Sequence, residues 1–442
     1  MRRIVILGGG FAGATLARRL SGRLPKGWEA LLVSEESYTT YNPLLPEVVG
    51  ASIFPEHVVA PLRQVIDVQR GLGFVMGRVT DLDLPGRSLG CETLAGPRRI
   101  AYDHLVLAFG SRARLDLIPG MAEHAMPLKT VGDALHIRNA VLRRLARIEL
   151  ETDAERRRRL GHFVVIGGGF SGVEVAGALA DCLHDVARYY PGVRPEERRV
   201  TVVQDIGRLL PELPEELGVA AQRMLERRGV DIRLNAGAAW IGAEGVLLKD
   251  GGMLDAETVI ATIGTRTNPL ATEAGLPLER GRIRVDGAMR VPGVDDAWAL
   301  GDCALVVNGR DGTPSPPTAQ FAVRQARLLA DNLLTAIAGG VPRDFTYKPR
   351  GAMAAIGHQR GVAEVFGVRL TGLPAWLLWR AYYLALMPTF GRRFRIFVEW
   401  SWGMLFPADI THIRFTRSAE HAPAPPIAPP IAQASAPAVP VA

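Results

Sequence analysis

The sequence predicts an α/β fold of two doubly wound units followed by a helical C-terminal segment. Three observations predict it. A short apolar run enters a glycine-rich turn at Ile4-Val5-Ile6-Leu7-Gly8-Gly9-Gly10-Phe11-Ala12-Gly13, and the same arrangement returns at Phe163-Val164-Val165-Ile166-Gly167-Gly168-Gly169-Phe170-Ser171-Gly172. A helix-like stretch follows each, so each unit reads strand, turn, helix. A second strand-to-glycine pattern also occurs twice, at Leu105-Val106-Leu107-Ala108-Phe109-Gly110 and Val259-Ile260-Ala261-Thr262-Ile263-Gly264, so the second half echoes the first. With 442 residues, 48% of them hydrophobic, the chain is long enough for two or three domains.

Both turns fit G-x-G-x-x-G. Gly8 and Gly167 allow the tight turn, Gly10 and Gly169 let a pyrophosphate approach the backbone, and Gly13 and Gly172 let helix pack on strand. The helices opening at Phe11-Ala12 and Phe170-Ser171 offer free N–H groups and a partial positive charge to an anion. One such loop is a weak signal; two in strand–turn–helix context indicate Rossmann-like binding of two dinucleotides, a flavin and a nicotinamide. Residues 2–8 read as a strand, 11–22 as a helix and 30–33 as the next strand, after which Glu35 can hold a ribose hydroxyl pair. In the second unit, 161–277, the strand at 200–203 ends on Gln204 and Asp205. Trp298-Ala299-Leu300 is a further strand ending in Gly301-Asp302, and Thr318 is placed to cap a helix from Ala319.

The formal net charge is +7, carried mainly by arginine, with lysine only at Lys26, Lys129, Lys249 and Lys348. No nucleic-acid motif accompanies this charge, so nucleic acid is not expected and an anionic membrane surface suits it better. Cys91, Cys182 and Cys303 form no C-x-x-C or C-x₄-C pair, which argues against disulfide cycling and against a metal centre. Met1-Arg2-Arg3 runs straight into the first strand, so no signal peptide and a reducing cytoplasmic setting are expected. Residues 37–50 are Pro-rich and irregular. Residues 133–160 read as one basic helix ending in Arg156-Arg157-Arg158-Arg159, more often a solvated helix end than a lipid contact. From Gly351 to Arg417 the chain turns aromatic, apolar and Arg-studded. Leu373 to Met387 is too interrupted to span a bilayer, but suits a helix lying in the membrane surface, with Arg380, Arg392, Arg393 and Arg395 toward headgroups. The alternatives are a homodimer interface or a core helix. As an appended anchor the segment is expected to be separable from a soluble flavoprotein by truncation near residue 350. Residues 419–442, Ala and Pro with almost no charge, are expected to be disordered.

These motifs in this order resemble the two-dinucleotide-binding flavoproteins and, within them, the type II, non-proton-pumping NADH:quinone oxidoreductases. The resemblance rests on Gly8–Gly13, Asn42-Pro43-Leu44-Leu45, Ala108-Phe109-Gly110, Gly167–Gly172 with Val173-Glu174, Gly301-Asp302, Ala319-Gln320-Phe321-Ala322, and the segment from Ala354-Ala355-Ile356-Gly357 to Ala375-Trp376-Leu377-Leu378-Trp379. It implies an FAD-binding domain of residues 1–125 and 278–350, an NAD(P)H-binding domain of 126–277, a membrane-anchoring and quinone-site region of 351–418, and a tail of 419–442. It implies FAD, with NADH or NADPH as co-substrate, hydride transfer to the flavin and two electrons to a quinone, at the cytoplasmic face of the bacterial inner membrane. Asp302 would then hold the ribityl chain, the Ala319–Gln320 helix start would face the flavin pyrimidine, and Asn42, Ala108, Gly110 and Gly264 would line the cofactors. Glu174 would face the nicotinamide and relay a proton, and Lys129 would stand near the cleft. The family often has Gln where this chain has Arg324, beside Gln320 near the quinone, and an acid where it has Gln204, from which relaxed choice between NADH and NADPH is expected. Cys303 is expected to be core packing. A soluble reductase with a non-quinone acceptor and a flavin-binding redox sensor stay open on the residues alone.

Overall fold

In the computed structural model, which describes residues 1–66, 68, 71–406 and 408–412, Met1–Ile410 form one compact unit, and a second unit, Thr411–Ala442, lies almost wholly outside the described residues, as does the expected disordered tail. Along the chain, β1 (Arg2–Leu7) leads into α1 (Phe11–Leu20) and β2 (Trp28–Ser34), followed by the short helix α2 (Leu45–Val49). Strands β3 (Leu72–Asp83), β4 (Ser88–Thr93), β5 (Gly96–Ala101) and β6 (His104–Leu107) come next. Then follow β7 (Ala125–Pro127), α3 (Val131–Leu150), α4 (Ala154–Leu160), β8 (His162–Ile166), α5 (Phe170–Asp185), β9 (Arg199–Val203), β10 (Val230–Arg233) and β11 (Thr258–Ala261). The chain returns through β12 (Ala297–Ala299) and α6 (Ala319–Ile337) to an antiparallel trio, β13 (Gly351–Ala355), β14 (Gly361–Val365) and β15 (Val368–Thr371), and two helices, α7 (Leu373–Leu386) and α8 (Phe390–Trp402).

Two sheets carry the fold. The first runs β12-β6-β1-β2-β3-β4-β5; the second runs β7-β11-β8-β9-β10 and is parallel throughout. The four residues before each glycine loop, Ile4–Leu7 and Phe163–Ile166, are fully buried and apolar, as parallel strands covered on both faces must be. The internal echo is exact in register: Leu7 pairs Val33 as Ile166 pairs Val203, and both Gly8 and Gly167 donate their N–H to the carbonyl of that partner valine.

Two expectations change here. The basic stretch 133–160 is two helices, because the Glu151 carboxylate accepts from Thr152 N and Asp153 N, and Asp153 then caps α4. The Arg156–Arg159 run is partly used inside the protein. Arg157 Nε and Nη2 grip both oxygens of the buried Glu197 at 2.7 and 2.9 Å, and Arg156 lies beside Glu151 and Glu257. Burial opposes ionisation of Glu197, but the bonds from Arg157 and Arg194 outweigh it and hold its pKa down at about 2. The C-terminal segment, in turn, is part of the core. Ala354, Ile356, Val362, Trp376, Trp379 and Trp400 share one buried cluster with Phe163, Val165 and Val175. A Cβ on Gly177 of α5 would come within 2.7 Å of Gly357 N, so helix and segment touch backbone to backbone. Truncation near residue 350 would strip this core, so the segment is not separable.

Candidate functional site

At the first loop Gly8 adopts φ +110°, and a Cβ there would sit 2.5 Å from Ala108 O. A Cβ on Gly13 would come within 1.9 Å of Gly8 O, which is why α1 can lie so close to β1. Gly10, by contrast, has nothing within 4 Å of its missing Cβ. The cradle is therefore tight on its protein side and open on its ligand side, and α1 starts with no side-chain cap over its N–H groups, so the loop fits a pyrophosphate. The second loop repeats this. Gly167 has φ +110°, Gly172 would meet Gly167 O at 1.8 Å, and Gly169 faces only Glu212 Oε1 at 3.6 Å. Phe11 meets Tyr41 edge-on, with ring centroids 5.1 Å apart.

The matched register makes Ser34 equivalent to Gln204, and Glu35 equivalent to Asp205. Ser34 lies beneath the middle glycine of its loop, its Oγ 2.7 Å from where a Cβ on Gly9 would stand. Gln204 does the corresponding work: it is buried, and its Oε1 accepts from Gly168 N at 2.7 Å. Gln204 thus braces the loop and does not face a ribose, which removes the ground for relaxed donor choice. The exposed acids at the two strand ends are Glu35, 3.6 Å from Arg112, and Asp205.

Gly301 and Asp302 form a single turn after β12. Gly301 has φ +72° and donates its N–H to Gln325 Oε1 at 2.8 Å. Lys129 Nζ donates to Ser111 Oγ at 3.0 Å and stands 3.7 Å from Asp302 Oδ2, and Ser111 Oγ donates to Asp302 Oδ2 at 3.4 Å. Lys129 precedes α3, whose Thr130–Asp133 capping box fixes the turn. Ala108 and Gly110 follow β6, and Gly264 follows β11; both glycines have positive φ. Helix α6 begins at Ala319, but Thr318 makes no side-chain cap, contrary to expectation, so the first N–H groups keep their donor capacity. Asn42 is exposed at the start of a short turn before α2. Gln320 is engaged by its neighbours: its Oε1 accepts from Tyr347 Oη at 2.7 Å and Arg350 N at 3.2 Å, and its Nε2 donates to Gly351 O at 3.2 Å. Arg324 stacks over the Tyr347 ring at 5.5 Å. Cys303 is core packing, as expected. Its thiol is buried among backbone carbonyls, and burial pushes it up to about 12.

Glu174, in the second turn of α5, points into the C-terminal segment. It is 9% exposed, and its Oε1 accepts from Ala355 N at 3.1 Å and Trp379 Nε1 at 3.2 Å. It lines a cavity of about 500 Å³ together with Glu47, Asp181, His358, Arg380 and Glu399. Burial raises its pKa to about 8, against the two bonds that lower it, with Glu47 adding to the rise. Glu47 is raised too, by burial first, while Arg380 and the Trp400 indole donating at 2.5 Å oppose. Arg380 itself lies between the Trp376 and Trp400 rings at 3.8 and 4.7 Å, and burial brings it down to about 10. It does not reach toward headgroups. Sequence reading missed Glu47, Ser111, Gln325 and Tyr347. Only Gln325, next to the Gln320–Arg324 run, had a local signal.

Residues 2–326 match the pyridine nucleotide-disulphide oxidoreductase family. The chain is 30% identical over 421 residues to the type II NADH:quinone oxidoreductase NdhA of Mycobacterium tuberculosis, covering 91% of this chain and 87% of that protein. It is 28% identical over 412 residues to Ndh of the same organism, with 90% and 87% covered. The structure of NDH2 from Plasmodium falciparum in complex with NADH superposes with a TM-score of 0.86 at 18% identity, over 93% of this chain and 99% of that one. The family's name refers to a disulphide, yet all three cysteines here are free and buried. The chain belongs to the type II NADH:quinone oxidoreductases of the pyridine nucleotide-disulphide oxidoreductase family.

Proposed function

We propose that this chain is an FAD-dependent NAD(P)H:quinone oxidoreductase. The observation that carries the reading is the pair of tight-backed, open-fronted glycine loops, the first beside the Lys129–Ser111–Asp302 group. Bound flavin would supply the two-electron chemistry that links a nicotinamide donor to a quinone. The protein does the rest. The Gly8–Gly13 loop and the start of α1 hold the flavin pyrophosphate, Glu35 a ribose, and Asp302 accepts from the ribityl chain. The start of α6, with its N–H groups and dipole, stabilises negative charge on reduced flavin. Lys129 is fixed by Ser111 and carries a positive charge beside Asp302. Glu174, neutral below its raised pKa, holds a proton in the cavity that the C-terminal segment closes. Residues 1–125 and 278–350 serve the flavin, and 126–277 the donor. The test is stopped-flow bleaching of the bound flavin by NADH, then re-oxidation by a short-chain quinone. Flavin that bleaches but is not re-oxidised by quinone would leave the non-quinone reductase in its place.

For the donor, Asp205 occupies the position that Glu35 occupies in the first unit. A carboxylate there accepts from ribose hydroxyls and repels a 2′-phosphate. NADH should therefore be preferred on the order of 100-fold in kcat/KM, ~2.7 kcal/mol. Asp205→Ser should bring the two donors within roughly tenfold, and an unchanged ratio in that variant would remove Asp205 from the site.

Attachment to the cytoplasmic face of the bacterial inner membrane completes the proposal. Among the described residues no helix is long and apolar enough to cross a membrane. Helix α8 concentrates exposed aromatic residues: Phe390, Phe394, Phe397 and Trp402 are each more than half exposed on one face, and Ile396 and Trp400 are buried on the other. This is the pattern of a helix lying in an interface. Phe390→Ser/Phe394→Ser/Phe397→Ser should lower partition into liposomes by at least about 100-fold, since each buried phenyl contributes roughly 1.5–3 kcal/mol. NADH-to-dye activity should stay. Equal vesicle binding by this variant would exclude α8 as the anchor.

A further inference from the structure

Helix α1 packs against α6, and Arg350 N donates to Gln320 Oε1 of α6, which gathers five arginines there: Arg18 and Arg19 from α1, Arg324 and Arg327 from α6 itself, and Arg350 just before β13. Burial comes first in depressing the Arg327 guanidinium, and the charges of Arg324, Arg19, Arg18 and Arg350 act after it. Like charges this close are unfavourable without a counterion. Among the described residues none of the five has a carboxylate within ion-pair distance. Two acids line the cavity beside Arg324 and Arg327: Asp331, which is held by Arg23 at 2.8 Å and lies 4.0 Å from Arg343, and Asp344. Arg327 Nε is buried with no hydrogen-bond partner, and Arg324 and Arg327 line an open cavity of about 380 Å³.

The cluster adjoins the apolar face. Phe11 of α1 meets the Tyr41 ring edge-on at 5.1 Å, and the Tyr41 hydroxyl donates to Leu386 O at the end of α7, with the charges of Arg393 and Arg18 felt at that phenol. Arg324 and Arg350 both act on Tyr382 of α7. Leu386 and Phe390 beyond them are exposed. Arginines that outnumber the two acids beside them, set against the exposed Leu386 and Phe390, match the two layers of a bilayer surface: phosphate above, acyl chains below.

We propose that this cluster binds the phosphates of anionic phospholipids, so that the enzyme docks selectively on anionic bilayers. The proposal rests on the membrane attachment above and names its lipid class. Guanidinium groups pair with phosphate oxygens two at a time. A lipid bearing net negative charge also supplies the counterion that the protein withholds, which a zwitterionic headgroup cannot.

The test is sedimentation of the purified holoprotein with vesicles of phosphatidylcholine alone or mixed with phosphatidylglycerol, at low and high salt. The variant is Arg18→Gln/Arg19→Gln/Arg350→Gln, with NADH-to-dye reduction as the measure of intact fold. The wild type should bind the anionic vesicles at least about 100-fold more tightly, with the difference shrinking in high salt. Each arginine at such a surface gives roughly a fivefold change, so the variant should lose on the order of 100-fold on anionic vesicles. It should match the wild type on neutral ones and keep its dye activity. A wild type that binds both vesicles equally overturns the lipid preference and leaves the anchor standing. A wild type that binds neither overturns the anchor itself. A dye-active variant with undiminished anionic binding removes these arginines from the contact.

Discussion

Gly10→Glu should give a folded protein that retains no FAD. The Cβ space at Gly10 is empty to 4 Å and its backbone, at φ −73° and ψ −170°, suits any residue. The side chain therefore fits the empty protein and fills only the room a pyrophosphate would take, with a negative charge added to the steric block. The loss in flavin affinity should exceed ~10³-fold, because a desolvated like-charge contact alone costs several kcal/mol. The measurement is flavin absorbance per mole of purified protein, beside a thermal melt of wild-type and variant apoprotein. Gly13→Ala is the contrast. Its Cβ would stand 1.9 Å from Gly8 O, so that variant should lose stability of the fold itself. Full flavin occupancy in Gly10→Glu would take the cofactor away from this loop.

Glu174→Gln should separate quinone reduction from flavin reduction. The amide keeps an acceptor oxygen for Ala355 N and Trp379 Nε1 but cannot give up a proton. If Glu174 supplies a proton to the quinone half-reaction, that step should slow about 100-fold, the lower range for general acid catalysis. Bleaching of the flavin by NADH should change less than about threefold. The pH dependence carries the sign. Burial lifts the folded-state pKa above the ordinary carboxylate value to about 8. Stability from the neutral group is thus fully present below pH ~4.5 and is lost as pH rises through about 8. The glutamine has no such loss. Its melting temperature should match the wild type near pH 4 and exceed it at pH 9, by on the order of 2–4 kcal/mol in stability. Parallel melting curves across that range would mean that Glu174 is ionised throughout, and the proton role would fall with it.

Much of this molecule was legible before any fold was known, and the reason is locality. A glycine with positive φ, a glycine with open space at its Cβ and a glycine under a helix occur within six residues, so the backbone demands at Gly8, Gly10 and Gly13 are written in the chain itself. Apolar runs of four to six residues before each loop mark buried parallel strands in the same local way. The pairing of Gly301 with Asp302 and the place of Cys303 in the core followed from short-range pattern.

What the sequence could not state is which side chains meet across distance. Gln204 looked like a residue facing a ribose until the backbone of Gly168 was seen to occupy its amide. Arg380 looked like a headgroup ligand, but two tryptophans and Glu47 enclose it. The cavity draws Glu47, Glu174, Ala355, Trp379 and Glu399 from five separate elements, and the raised pKa of Glu174 comes from that enclosure and not from its neighbours in the chain. The C-terminal segment reads as an appendage because its apolar residues are too interrupted for a span. Trp376, Trp379 and Trp400 are inside because α5 and β13 leave a face for them to cover, and α8 is left with the exposed phenyl groups and Trp402. Loop chemistry depends on a few consecutive φ values and was fixed by composition alone, whereas burial, and with it charge state and surface, was decided only when residues hundreds of positions apart closed around one another.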